Sequence, residues 1–248
     1  MSEHILNRLK GVEPVSDGGP KVPSDAATLL ILDRQTNGDI HVLMGRRHTR
    51  HTFMPGMFVF PGGRVDAEDA DVRFVEDYEP TTRQKLIKDL KTGSSEDYAR
   101  AFAMAALRET YEEAGLFVGV KTEQTVMPSG IGFEAFDERS VVANLAPMRF
   151  IARAITPPGR PRRYDTRFLA VWSDQIADRL PEGTGPSGEL EELQWLSLQD
   201  SKRLELPPIT LAVIEELELR LKVDPDLQPR YPVPYYYWTP NGFVREEL

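Results

Sequence analysis

The chain of 248 residues contains no cysteine and only four histidines. The first absence excludes disulfide scaffolds, thiol nucleophiles and cysteine zinc sites, and it fits a reducing compartment. No stretch stays apolar for the ~18 residues that a membrane-spanning helix needs. The start, Met1 to Lys10, lacks the apolar run and small-residue cleavage site of a secretory signal. Positive charge is also scarce: 30 lysines and arginines stand against 39 aspartates and glutamates, a net charge of −9. Nucleic-acid backbones and anionic membranes attract the opposite sign, so no general binder of either is expected. The chain reads as a soluble, cytoplasmic protein. It also lacks a Gly-x4-Gly-Lys-Ser/Thr loop, a Gly-x-Gly-x-x-Gly turn and a Gly-x-Ser-x-Gly elbow. Kinase, dehydrogenase and serine-hydrolase readings therefore have no foothold.

What is present is a composition 40% hydrophobic and 28% charged, enough for the packed core of one large domain, or of one domain carrying an insertion. Residues 1–24 are polar and broken by Gly18, Gly19, Pro20 and Pro23, the pattern of a loosely held arm. Apolar runs at 27–33 and 40–47 flank Asn37-Gly38, a hairpin signal. Residues 57–60 read as a short strand ended by Pro61-Gly62-Gly63. An acidic stretch with a short helix at 81–91 follows. A long alanine-rich helix is predicted from a capping box at Ser94 and Asp97 to Gly115, its C-terminal cap. Strands are expected at 116–120, 150–155, 167–172 and 193–196, and a helix at 207–221. The aromatic tail at 223–248 is too apolar for a solvated linker and packs on the body or on the partner of a homodimer. Interleaved strands and helices give an α/β or α+β class.

The informative segment is Arg108-Glu109-Thr110-Tyr111-Glu112-Glu113-Ala114-Gly115-Leu116. Positions i, i+3 and i+4 share one helix face, so Glu109, Glu112 and Glu113 converge. Each like-charge neighbour costs roughly 0.2–0.5 kcal/mol. The end of a helix favours cations instead, by roughly 0.3–1 kcal/mol per charge. Two broken rules at one place point to a compensating hard dication, which takes oxygen ligands and needs no histidine or cysteine. A solvated acidic helix end has the same spacing.

Upstream stands Gly56-x-x-x-Phe60-Pro61-Gly62-Gly63. Together these residues resemble the Nudix hydrolase family, whose box reads Gly-x5-Glu-x7-Arg-Glu-U-x-Glu-Glu-x-Gly-U, with U bulky and apolar. Gly63, Gly115 and Leu116 match its glycines and last apolar position, whereas Thr110 replaces the first apolar one. Asp69 stands where the box has its first glutamate, with Glu68 one place early. Between Asp69 and Arg108 lie 38 residues instead of 7, an insertion of about 31. Interrupted boxes occur in the peroxisomal-type acyl-coenzyme A diphosphatases. Phe53-Met54-Pro55-Gly56, Thr156-Pro157-Pro158-Gly159 and Arg163-Tyr164-Asp165-Thr166 are similar to that branch, although the more general coenzyme A signature has arginine where Thr52 stands, with Arg50 close by.

The resemblance implies a Nudix fold over 25–222, a mixed β-sheet sandwiched between helices, with a helical insertion at about 70–94. It implies hydrolysis of a nucleoside diphosphate-linked substrate with Mg2+ or Mn2+. Coenzyme A or acyl-CoA comes first; ADP-ribose or a dinucleotide, or a non-catalytic binding module, are the rivals. Glu112 and Glu113 are then metal ligands, Glu109 a ligand or the water-activating group, and Gly63 a further ligand through its carbonyl. Arg108 holds the carboxylates in register by a bond to Glu112. A base can also come from the acidic run Glu189, Glu191 and Glu192. Two basic clusters are candidates for substrate phosphate: Arg46, Arg47 and Arg50 with His48 and His51, and Arg163 with Arg160 and Arg162.

Overall fold

The computed structural model describes residues 4, 5, 9, 21–50, 55–90, 95–123 and 128–248. Its central strand, β1 (Ser24–Arg34), divides its side chains between two cores. Ala27, Leu29 and Ile31 enter one, and Leu30 and Leu32 the other, the period of two that an extended chain imposes. A strand covered on both faces carries an almost unbroken apolar run, as residues 27–32 do. It returns through a hairpin into β2 (Ile40–Arg47), with Leu32 opposite Val42. Gly38 alone of the Asn37-Gly38 pair takes positive φ, +90°, and Gln35 N–H closes the turn on Asp39 O at 2.8 Å.

The remaining strands are β3 (Phe58–Val59), β4 (Gly62–Arg64), β5 (Leu116–Val118), β6 (Val120–Lys121), β7 (Val141–Val142), β8 (Arg149–Ile155), β9 (Tyr164–Trp172), β10 (Ile176–Arg179), β11 (Leu190–Ser197), β12 (Pro234–Thr239) and β13 (Gly242–Glu247). The main sheet runs β11-β2-β1-β9-β8-β12-β13, with β3 on β2 and β4 on β1. The β1–β9 and β8–β12 pairs are parallel and the others antiparallel, so the sheet is mixed. Gly62-Gly63, expected as the end of a strand, is itself paired: Gly63 lies opposite Ala27.

The helices are α1 (Pro80–Leu86), α2 (Ala99–Ala114), α3 (Glu134–Glu138), α4 (Leu198–Ser201) and α5 (Pro208–Val223). α2 covers one face of the sheet and α5 the other. Residues 101–107 of α2 are all fully buried, and its four alanines there let the helix sit close on β1. Ser94 lies outside the described residues. Ser95 does the capping, accepting from Tyr98 N–H at 3.3 Å at the head of a 3-10 turn that leads into α2. Gly115 ends α2 in the left-handed conformation, φ +67°, its N–H on Tyr111 O.

The insertion joins the core. Val72, Tyr78 and Leu86 are buried on the α2 side. α1 is shorter than predicted because the chain turns at Asp89, φ +54°. The carbonyls of Lys88 and Asp89 accept from Arg153 of β8 at 2.9 and 3.2 Å. Arg153 is itself buried and held by Asp165 at 2.9 and 2.7 Å. The tail adds β12 and β13 to the sheet edge, and Glu216 of α5 binds Arg245 at 2.8 Å and the Tyr236 hydroxyl. The loose arm expected at 1–24 falls mostly outside the described residues; Ile5 and Leu9, which are described, are buried in the α5-side core.

Candidate active site

The close approach of β4 to α2 builds the site. A side chain at Gly62 would meet the Ala27 backbone carbonyl at 2.6 Å, so glycine is required there, and one at Gly63 would displace the Glu109 carboxylate from its place. Gly62 N–H donates to Glu113 Oε2 at 2.9 Å and fixes that carboxylate against the strand. Behind them, the C-terminal carbonyls of α2 are covered: Ser187 N–H donates to Glu112 O at 2.9 Å and Gly185 N–H to Glu113 O at 3.2 Å. The helix end is thereby satisfied by backbone, which leaves the glutamate side chains to the cleft.

Arg108 differs from expectation. Its principal partner is Asp69, with Nε on Oδ1 at 3.1 Å and Nη2 on Oδ2 at 3.0 Å. Nη1 binds Glu109 at 2.9 Å, Nη2 also reaches the Arg64 carbonyl at 3.1 Å, and Glu112 stands off at 3.6 Å. The arginine therefore closes the box across the insertion, joining its loop half to its helix half. Burial works against its charge, and the bonds to Asp69 and Glu109 more than offset this, so the guanidinium is held above its ordinary range. Thr110, out of place for the pattern, is fully buried and returns its hydroxyl to Ala106 O at 2.7 Å.

Glu109, Glu112 and Glu113 open into one cleft of about 480 Å³, together with Asp66, Glu68, Glu189 and the edge Gly62-Gly63-Arg64. Burial pushes the Glu113 carboxyl up to about 8, against the Gly62 N–H bond, and Glu109 adds to the rise. Burial likewise raises Glu109 to about 7, against the pull of Arg108. Among the described residues, no three acidic or histidine side chains already stand together as a closed metal site. The donor chemistry nonetheless fits a hard dication: oxygen ligands alone, one of them, Glu113, buried with no ion pair among the described residues.

These shifts have a sign. Both carboxyls keep their protons to higher pH in the fold than the ordinary value of 4.5 allows in the unfolded chain. The folded state then binds more protons, so their contribution is full below about 4.5 and is lost as pH rises through 7 and 8. The metal-free protein should melt at progressively lower temperature from pH 5 to 8, and Glu113→Gln should flatten that decline. Calorimetric scans across this range check it; parallel slopes in the two proteins would refute the assignment.

The first basic cluster is largely taken up by acids. Arg47 binds Glu189 at 2.9 Å, Arg46 pairs with Glu192, and His48 faces Glu191 at 3.2 Å. Arg47 lines the cleft, whereas Arg46 and Arg50 do not. His51 lies outside the described residues. Of the acidic run, Glu189 alone enters the cleft, where its charge helps raise Glu109 and Glu113. In sequence Glu189 is one of three acids in a run with nothing to single it out; the pairing of β11 with β2, which sets Leu190 opposite Arg47, brings it here. Arg163 is bound to the carbonyls of Thr156 and Lys21, at 3.0 and 2.6 Å.

No family model matches the chain. It is 27% identical over 132 residues to the Xenopus laevis protein named acyl-coenzyme A diphosphatase NUDT19, 39% of this chain and 35% of that one. It is 27% identical over 184 residues to a Caenorhabditis elegans protein named as nudix hydrolase 7, 69% of this chain and 50% of that one. The chain thus spans between a third and a half of these curated relatives' length. The crystal structure of a Nudix hydrolase from Alicyclobacillus acidocaldarius superposes with a TM-score of 0.61 at 27% identity, covering 82% of this chain and 97% of that one. Taken with a split box that folds back into one carboxylate cleft, this likeness along almost the whole of a solved relative gives the chain the fold of the Nudix hydrolases, the proteins it resembles in sequence.

Proposed function

We propose that the chain hydrolyses a diphosphate linked to a nucleoside, with coenzyme A or an acyl-CoA as the leading substrate. The observation that carries this reading is the cleft itself, in which buried Glu113, held by a backbone N–H and by no ion pair among the described residues, and Glu109, paired with Arg108, stand beside Glu112 and Glu189. Glu112, Glu113 and Glu109, with the Gly63 carbonyl, would hold Mg2+ or Mn2+. Such an ion, when bound, neutralises phosphate oxygens and lowers the pKa of water. The chain does the positioning. Arg108 orients Glu109, and Gly62 N–H orients Glu113.

Glu189, oriented by Arg47, is the carboxylate we assign to take the proton of the attacking water. The water oxygen bonds to phosphorus as the bridging P–O bond breaks. From coenzyme A the products are a phosphopantetheine species and adenosine 3′,5′-bisphosphate. The Xenopus laevis relative is named an acyl-coenzyme A diphosphatase, which supports this substrate over ADP-ribose or a dinucleotide. A binding module without turnover is the weakest reading, since all three helix carboxylates of the box are retained.

The test is a metal-titrated phosphate-release assay over coenzyme A, dephospho-coenzyme A and ADP-ribose. Magnesium-dependent cleavage with coenzyme A preferred is expected. Preference for ADP-ribose overturns the substrate assignment, and no cleavage of any member overturns the reaction.

A further inference from the structure

A second trough of about 470 Å³ adjoins the carboxylate cleft, lined by Lys21, Val22, Ser24, Arg64, Pro161, Arg162, Arg163 and Tyr164. Four of these eight residues are cationic and none is acidic, in a chain whose net charge is −9. Like charges gathered in a concave site repel, so their lining favours an anion. The walls are tied together by backbone and not by acids. Lys21 Nζ donates to Pro161 O at 2.9 Å, Arg163 Nη1 to Lys21 O at 2.6 Å, and Ser24 N–H to Arg163 O at 2.9 Å. Burial alone holds the Arg163 guanidinium below its ordinary range, with no carboxylate to restore it.

Arg64 and Arg162 are exposed and have no acidic partner among the described residues. That contrasts with Arg46 and Arg47, each bound to a glutamate. Arg64 also lines the carboxylate cleft, and its carbonyl is pinned there by Arg108. A third hollow, lined by Val59, Phe60, Tyr164 and Phe168 among others, shares Arg64 with the cleft and Arg162 with the trough. The three adjoin through shared residues: carboxylates, then a mixed hollow in which Tyr164 and Val59 stand among threonines, then the cations of the trough.

We propose that the trough of Lys21, Arg64, Arg162 and Arg163 is a subsite for a second phosphate, a phosphomonoester on the nucleoside remote from the diphosphate that is cleaved. Guanidinium groups suit this ligand because their forked donors match phosphate oxygens. The proposal rests on the nucleotide-hydrolase reading for the ligand's class, and its test is kept apart from turnover.

Adenosine 3′,5′-bisphosphate and adenosine 5′-monophosphate are titrated calorimetrically into the full chain, with chelator present. The bisphosphate should bind at least about tenfold more tightly, a difference of ~1.4 kcal/mol. In Arg162→Ala and Lys21→Ala, both at exposed positions, that gap should shrink to about twofold. No binding of either nucleotide, equal binding, or a gap that survives both substitutions overturns the subsite. Cleavage of a diphosphate substrate with magnesium, measured in parallel on the unmodified chain, fails only if the proposed reaction is wrong.

Discussion

Glu112→Gln should lower turnover by roughly 10²–10³-fold, the scale on which one group that stabilises reacting charge acts. The substitution keeps the shape and removes the charge. Its effect on the fold should be small, within about 0.5 kcal/mol, because Glu112 is substantially exposed and its ion-pair partner, Arg108, stands 3.6 Å away. Glu113 is the poorer probe, since its carboxylate is buried and bonded to Gly62 N–H, so a change there mixes stability with catalysis. Initial rates with magnesium, paired with urea unfolding, separate the two effects. Near-normal turnover would remove Glu112 from the machinery.

Asp69→Ala should cost about 3–5 kcal/mol of stability, the penalty for stranding one half of a buried ion pair. Asp69 is 1% exposed and Arg108 9% at their side chains, and the two meet through a pair of parallel bonds. With Asp69 gone, the guanidinium keeps Glu109, the Arg64 carbonyl and half-exposed Asp66 at 3.4 Å, but loses the buried, two-bonded carboxylate that joins it to the loop half. Activity should fall with stability, because the same guanidinium orients Glu109. Asp69→Asn, which keeps the shape and one acceptor, should lose less on both counts. Urea unfolding of the three proteins measures this, and a loss under about 1 kcal/mol for the alanine variant would mean that the box is closed by something else.

The sequence exposes features that repeat at short range. The two-faced apolar run of β1, the Asn37-Gly38 turn, the alanine-rich α2 and its Gly115 cap are each set by neighbours a few positions apart, and all are found. Glu109, Glu112 and Glu113 were legible for the same reason, as i, i+3 and i+4 on one helix. Contacts between distant segments were not. Arg108 has an i+4 glutamate in sequence, yet it chooses Asp69, 39 positions away, because the 3-10 turn Ala67–Asp71 packs directly on α2. The carbonyls just beyond the end of α1 are bound by Arg153, 64 and 65 positions away, a contact that local sequence does not carry. Charge runs mislead in the same way. Arg46 and Arg47 look available in sequence, but the pairing of β2 with β11 sets them against Glu192 and Glu189. Arg64 attracts no notice in sequence, yet it and Arg162 stand exposed with no acidic partner among the described residues.

The central claim is that the α2 carboxylates bind a dication that acts on a diphosphate. Anomalous scattering at the manganese edge, from crystals grown with Mn2+ and a non-hydrolysable nucleoside diphosphate analogue, tests it most directly. A peak is expected within coordination reach of Glu112 and Glu113, beside the phosphate oxygens of the analogue. A bound analogue with no peak beside those two glutamates would contradict it.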